Sequence, residues 1–192
     1  MRMYSRSTGT LHVVPRIQPV ADHVSIAGAL RADDFRELKA RGFQTIVDLR
    51  WNGEPTPFGL SPREERCRAA ELGFTHFQIP VISTALDRPT VEAVHRTLAI
   101  AERPVLVHCA SGRRAAVLVI MDLACTAGWT PTQCLERLDA LGFDCAEMPR
   151  LREFLVRYLG TRRGESGSAL GALDTRAGQR SPRPNRRTAG HV

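Results

Sequence analysis

"LVHCASGRRAAV", residues 106–117, decides how this chain is read. Apolar residues lead into His108 and Cys109, a small turn follows at Ala110, Ser111 and Gly112, and Arg113 and Arg114 open a run of helix formers. Small residues let successive backbone N–H groups converge on an anion. The first turn of the next helix adds its own free N–H groups and the positive end of its dipole. Helix N-termini and cationic neighbours also stabilise a thiolate. An arginine at the end of such a loop can hold two anion oxygens at once. Cys109 therefore reads as a nucleophile in an anion cradle built by residues 110–114, with the alternative that it is a buried thiol at a strand end. His108 reads as a group that orients the loop, or as a core histidine.

Outward from the loop, strand and helix patterns alternate. "HVSIAG" (23–28), "FQTIVDLR" (43–50), "FTHFQIPV" (74–81) and "PVLVHC" (104–109) are short apolar or β-branched runs. Between and after them lie helical patterns at 31–42, from Ser61 to about Gly73, and at 90–102, 113–128, 130–142 and 148–160. Ser61-Pro62 with Glu64, and Thr130-Pro131 with Gln133, have the form of capping boxes with a first-turn proline. The 113–128 helix is apolar nearly all round, as a central buried helix should be. This alternation predicts one α/β domain over residues 1–160, a mostly parallel central sheet of four to five strands with helices on both faces.

Composition narrows the class. The chain has 192 residues, 43% apolar and 24% charged, enough for one sizeable core. No apolar run is long enough to span a membrane. The formal charge of +7 sits mostly after residue 160, where seven arginines face Glu165 and Asp174. Residues 161–192 are rich in Gly, Ser, Pro and Arg and read as a disordered tail, so the charge does not indicate a nucleic-acid-binding domain. Cysteines at 67, 109, 125, 134 and 145 are odd in number and form no C-x-x-C. Free thiols in a reducing, cytoplasmic setting are expected, with no disulfide framework, metal site or cofactor.

At these residues a family resemblance enters. His108-Cys109-x-x-Gly112-x-Arg114 after "VLV" resembles the loop of cysteine-dependent dual-specificity phosphatases. "VSIAGALRADDFRELKARGFQTIVDLRWNGE", "FTHFQIPV" and "VLVHCASGRR" together resemble the phosphatase-like domain of the beta-lactamase-hydrolase-like family over about residues 15–145. The resemblance implies a cysteine-phosphatase-like fold, a thiolate nucleophile at Cys109 and an anion cradle of Ser111, Gly112 and Arg114. By the same analogy Asp48, Arg50 and Glu54 follow a strand ending near the cradle, unless they form a solvated loop.

The chain departs from the phosphatase pattern in three ways. Tyrosine and dual-specificity phosphatases place the arginine after five residues, at a position occupied here by Ala115. The six-residue loop from Cys109 to Arg114 resembles that of rhodanese-type sulfurtransferases. Ala115 and Ala116 supply no hydroxyl for the leaving thiolate. The general acid that a phosphatase needs has Asp87 as its nearest candidate, although Asp87-Arg88-Pro89 also reads as a helix cap. The expected function is a phosphatase-like hydrolase acting on a phosphate ester through a phosphocysteine. The alternatives are a sulfurtransferase with a Cys109 persulfide, acting on a sulfur-containing substrate, and a non-catalytic phospho-group-binding module.

Overall fold

A computed structural model of the chain describes residues 17–57 and 59–174, with 163–174 described through their backbone alone. Five strands form one sheet: β1 (Gln18–Ala21), β2 (Val24–Ala27), β3 (Thr45–Asp48), β4 (Thr75–Gln78) and β5 (Val105–His108), in the order β1-β2-β5-β3-β4. Only β1 is antiparallel to its neighbour. The sequence reading missed β1, whose Gln-Pro-Val-Ala run has no clean alternation; its short hairpin onto β2 turns at His23, held at a positive φ of 62°.

The strands are short and their side chains alternate between two faces. Ile46 and Leu106 point into a smaller cluster with Phe35 and Leu38 of helix α1 (Asp34–Ala40) and Ala69 of α2 (Pro62–Glu71). Val47, Val105 and Val107 point the other way, into a larger core. That core is shared with α3 (Arg88–Ile100), α4 (Arg113–Ala127), α5 (Pro131–Ala140) and α6 (Pro149–Asp174). The mixed, mostly parallel sheet with helices on both faces is the architecture the alternation predicted. The apolar α4 lies centrally, with every residue from Arg114 to Met121 buried.

Both capping boxes form: the Ser61 and Thr130 hydroxyls accept from the backbones of Glu64 and Gln133, whose side chains return the contact. One helix end differs from expectation. α6 runs through Gly160 to Asp174, so residues 161–174 are helical rather than the start of a disordered tail. Gly160, Gly164, Gly167 and Gly171 each cost the helix only about 1 kcal/mol, and contacts just beyond Gly160 hold its next turn. The Thr161 hydroxyl donates to the Tyr158 carbonyl, and Arg162 reaches the Cys125 sulfur at 3.1 Å. The rest of the expected tail, 175–192, lies outside the described residues.

Register sets the position of the site. Asp48 pairs with both Gln78 and His108, and His108 with Ala27, so four parallel strands end level with one another. Ligand sites of open α/β sheets lie at the carboxyl ends of the strands, and the loop after the central β5 opens there.

Candidate active site

Three main-chain bonds fix the start of the loop. Cys109 N–H donates to the Ala27 carbonyl at 3.4 Å, Ala29 N–H to the Ala110 carbonyl at 3.1 Å, and Leu49 N–H to the His108 carbonyl at 2.9 Å. Gly112 then turns the chain into α4 with φ 83°, a left-handed conformation that glycine adopts without strain. The turn brings the Gly112 N–H back onto the Cys109 sulfur at 3.1 Å. Cys109 is fully buried at the floor of the loop, while Ala110, Ser111 and Arg113 are half-exposed around it.

Arg114 sits in the first turn of α4 and its guanidinium is buried. Its Nη1 donates to the Val81 carbonyl at 2.6 Å, to the Leu49 carbonyl at 3.3 Å and to Glu54 Oε2 at 2.9 Å, and its Nη2 donates to Glu54 Oε1. Burial opposes the charge, but Glu54 and the adjacent Cys109 sulfur hold Arg114 above the ordinary guanidinium range. Glu54 is delivered by the turn 51–54, in which Gly53 has φ 88° and Glu54 N–H donates to the Trp51 carbonyl. Trp51 is 42% exposed on that turn. Arg113 points elsewhere: its Nη2 meets Glu147 Oε2 at 2.6 Å.

Alternation along β5 sends His108 to the face opposite Cys109, under α2. There Asp48, Arg50, Glu65 and His108 form a fully buried ionic group. Arg50 grips Asp48 through Nε and Nη2 at 2.8 and 2.9 Å, reaches Glu65 at 2.5 Å, and caps the Leu60 carbonyl at 2.7 Å. Glu65 Oε1 accepts from His108 Nε2 at 2.6 Å and lies 3.2 Å from His76 Nε2. The solvated-loop alternative for Asp48 and Arg50 is therefore overturned.

Oxygen and nitrogen atoms of Asp48, Glu65 and His108 lie close enough together to face one cation. Arg50 fills that position: its donors take both oxygens of Asp48 and one of Glu65. Burial alone would raise the Glu65 carboxyl, but His108, His76 and Arg50 outweigh it and bring the carboxyl down to about 2. Burial likewise opposes protonation of His108, yet Glu65 and Asp48 push it above the ordinary imidazole value. His108 thus acts from behind the loop and makes no side-chain contact with its anion-facing side.

Asp87 is the N-cap of α3. Its Oδ1 accepts from the Thr90 N–H at 2.9 Å and from the Thr90 hydroxyl at 2.5 Å, and these bonds hold its carboxyl below the usual range. In this geometry Asp87 is the helix cap that the alternative reading describes. Among the other thiols, burial pushes Cys134 up to about 11 and also raises Cys125 and Cys145, in keeping with structural roles. Cys67 is exposed on α2.

Residues 16–126 match the family described as the phosphatase-like domain of beta-lactamase hydrolase-like protein. The chain belongs to this family. It is 35% identical over 108 residues to a beta-lactamase hydrolase-like protein of Xylella fastidiosa, covering 56% of this chain and 25% of that one. It thus spans about a quarter of the length of the curated relatives it matches. Among solved structures it is similar to a candidate phosphatase from Neisseria meningitidis, with TM-score 0.62 at 24% identity over 72% of this chain and 95% of the other. It is also similar to TpbA of P. aeruginosa in complex with pTyr, with TM-score 0.59 at 16% identity over 80% and 99%. These likenesses establish the cysteine-phosphatase-like fold.

Proposed function

We propose that this domain hydrolyses phosphate monoesters with Cys109 as nucleophile. The observation that carries this reading is the convergence on one sulfur of the Gly112 N–H, the first turn of α4 and the Arg114 guanidinium. The thiolate attacks phosphorus, the P–O bond to the leaving group breaks, and the electron pair departs with the leaving oxygen. Water then cleaves the P–S bond, releasing phosphate and regenerating the thiolate.

Arg114 is suited to hold the transferring group. Of the five N–H donors of a guanidinium, its contacts with Glu54, Val81 and Leu49 use both on Nη1 and one on Nη2. The Nε–H and the second Nη2–H form the edge that grips two oxygens of a tetrahedral anion. Glu54 fixes the opposite end and so aims that edge. TpbA, of similar fold, binds phosphotyrosine, which supports a phosphoryl group as the occupant here.

A sulfurtransferase reading rests on two specific observations: the six-residue loop with Ala115 where a phosphatase places its arginine, and the commitment of Asp87 to a cap. A persulfide forms by thiolate attack on sulfur and needs no acid. The test offers the purified chain and its Cys109→Ser variant p-nitrophenyl phosphate and, separately, thiosulfate with cyanide. The phosphatase reading predicts phosphate release by the native chain, abolished in the variant. Thiocyanate formation without phosphate release would establish the sulfurtransferase instead. Activity in neither assay, with phosphate still bound, would make the domain a phospho-group-binding module.

A further inference from the structure

The two arginines that follow the cradle glycine each hold a segment that leads away from it. Arg114 Nη1 holds the Val81 carbonyl at 2.6 Å, and the chain continues from Val81 into the loop 82–87. Arg113 holds Glu147 at 2.6 Å, and the chain continues from Glu147 into α6. Between these two segments lies a cleft of about 180 Å³ lined by Ser83, Thr84, Arg150, Glu153, Phe154 and Arg157, with Leu86 at its edge.

The positions on α6 follow from its period. Residues 150, 153, 154 and 157 fall on one helix face, so both guanidiniums and the Phe154 ring are presented together. Ser83 is two residues from Val81 and Arg150 three from Glu147, spans of at most about 7 and 11 Å of extended chain. The cleft therefore opens close to the two segments that Arg113 and Arg114 hold, between the loop 82–87 and α6.

Its chemistry is selective. Two hydroxyl groups and two arginines face Glu153, the single acid in the lining. Glu153 meets Arg157 at only 4.0 Å, with both side chains largely exposed. Arg150 is exposed and makes no ion pair among the described residues. One cationic charge is left uncompensated next to hydroxyl donors, in a space the size of a phosphate with a few waters.

We propose that this cleft is a second anion subsite, and that the preferred substrate carries a second phosphate or similarly charged group a few bonds from the one held over Cys109. The proposal rests on the phosphatase reading for the occupant of the cradle, while the subsite itself is defined by Ser83, Thr84, Arg150 and Arg157. The substrate class is a small bisphosphorylated molecule rather than a simple monoester.

The test uses the full chain and two probes, butyl phosphate and butane-1,4-diol bisphosphate. Calorimetric binding is measured on the Cys109→Ser chain, which cannot turn over the probe, and phosphate release on the native chain. The expected result is about tenfold tighter binding of the bisphosphate, the effect of roughly one charge-assisted contact. In a chain also carrying Arg150→Ala and Arg157→Ala, the ratio of the two affinities falls to near one. Glu153→Gln shifts that ratio the other way, because it removes the acid from the lining. All three side chains are exposed, and unchanged melting temperatures establish that the variants fold.

Equal affinity of the native lining for both probes, or a bisphosphate preference that survives loss of both arginines, overturns the subsite. Failure of the phosphatase reading looks different. Both probes then bind, the bisphosphate more tightly, but the native chain releases phosphate from neither; the subsite stands and the catalytic reading falls. Binding of neither probe overturns both.

Discussion

Replacing Glu65 by glutamine removes the one negative charge that three nitrogen atoms share. In the native chain its carboxylate lies 2.5 Å from Arg50, 2.6 Å from His108 and 3.2 Å from His76, all three on nitrogen. Glutamine preserves the shape and one acceptor oxygen, but turns an N–H2 toward a donor and leaves His108 only Asp48, at 3.7 Å, as its anion. Removing one partner of a buried ion pair costs roughly 3–5 kcal/mol; the retained oxygen places Glu65→Gln at the lower end, about 3 kcal/mol. For a domain of this size that lowers Tm by roughly 6–12 °C.

The pH dependence makes the assay specific. Glu65 is held at about 2 in the folded protein against 4.5 for a free carboxyl. A depressed carboxyl contributes stability that is fully present above 4.5 and disappears as pH falls toward 2. His108 has the opposite sign. Its folded value is raised above 6.5, so its contribution is complete below that pH and fades as pH rises through the folded value. Urea unfolding from pH 2 to 9 should therefore show both flanks in the native chain, and in Glu65→Gln no Glu65 component on the acid flank and a weakened His108 component, sustained by Asp48 alone. A loss below 1 kcal/mol at pH 6, or an unaltered acid flank in the variant, would refute the account of this buried group.

Three further substitutions probe the site. Glu54→Gln frees the back of Arg114 and should lower kcat/KM for p-nitrophenyl phosphate about 10- to 100-fold, since small misplacements of a clamp are costly, with only a modest change in Tm. Asp87→Ala removes the cap of α3 and should lower Tm slightly while turnover stays within twofold; a hundredfold loss of turnover would restore Asp87 as the general acid. Gly112→Ala forces a side chain into a left-handed conformation, a strain of about 1–2 kcal/mol. It should impair phosphate binding and turnover in step, as measured by calorimetry and steady-state kinetics.

Much of this arrangement was legible in the sequence because short-range rules govern it. The period of two along "VLVHC" and the caps at Ser61 and Thr130 act over a few residues, and the strands and helices they mark are the ones observed. The loop 109–114 was legible for the same reason: a strand end, small residues and a helix start leave its backbone few alternatives. Arg114 illustrates the limit. Its position was visible, but its commitment to Glu54, sixty residues away, depends on a turn packing across the sheet.

Glu65 and His76 were missed altogether. Glu65 stands beside Glu64, whose capping role drew the reading toward solvent, although Pro62, Glu65 and Ala69 mark the buried face of α2. An acid on a buried helical face implies a buried cation. Ile46–Asp48, Leu106–His108 and His76–Gln78 carry the complementary hint, since on one face of three adjacent strands the residues at the carboxyl ends are all polar. Asp48 and Arg50 read equally well as a solvated loop because burial of an ion pair depends on which helix covers it. The continuation of α6 past Gly160 was hidden for a related reason, as composition alone does not report the contacts of Thr161 and Arg162.

The claim that Cys109 is a phosphoryl-accepting nucleophile is tested most directly by trapping its intermediate. The native chain would be mixed with radiolabelled phenyl phosphate carrying the label on phosphorus, quenched during turnover in alkaline detergent, digested at alkaline pH and mapped. The account predicts label on the peptide containing Cys109 that survives alkali and is lost in mild acid, and none in Cys109→Ser. Phosphate release with no label on Cys109, or with equal release by the Cys109→Ser variant, would contradict it.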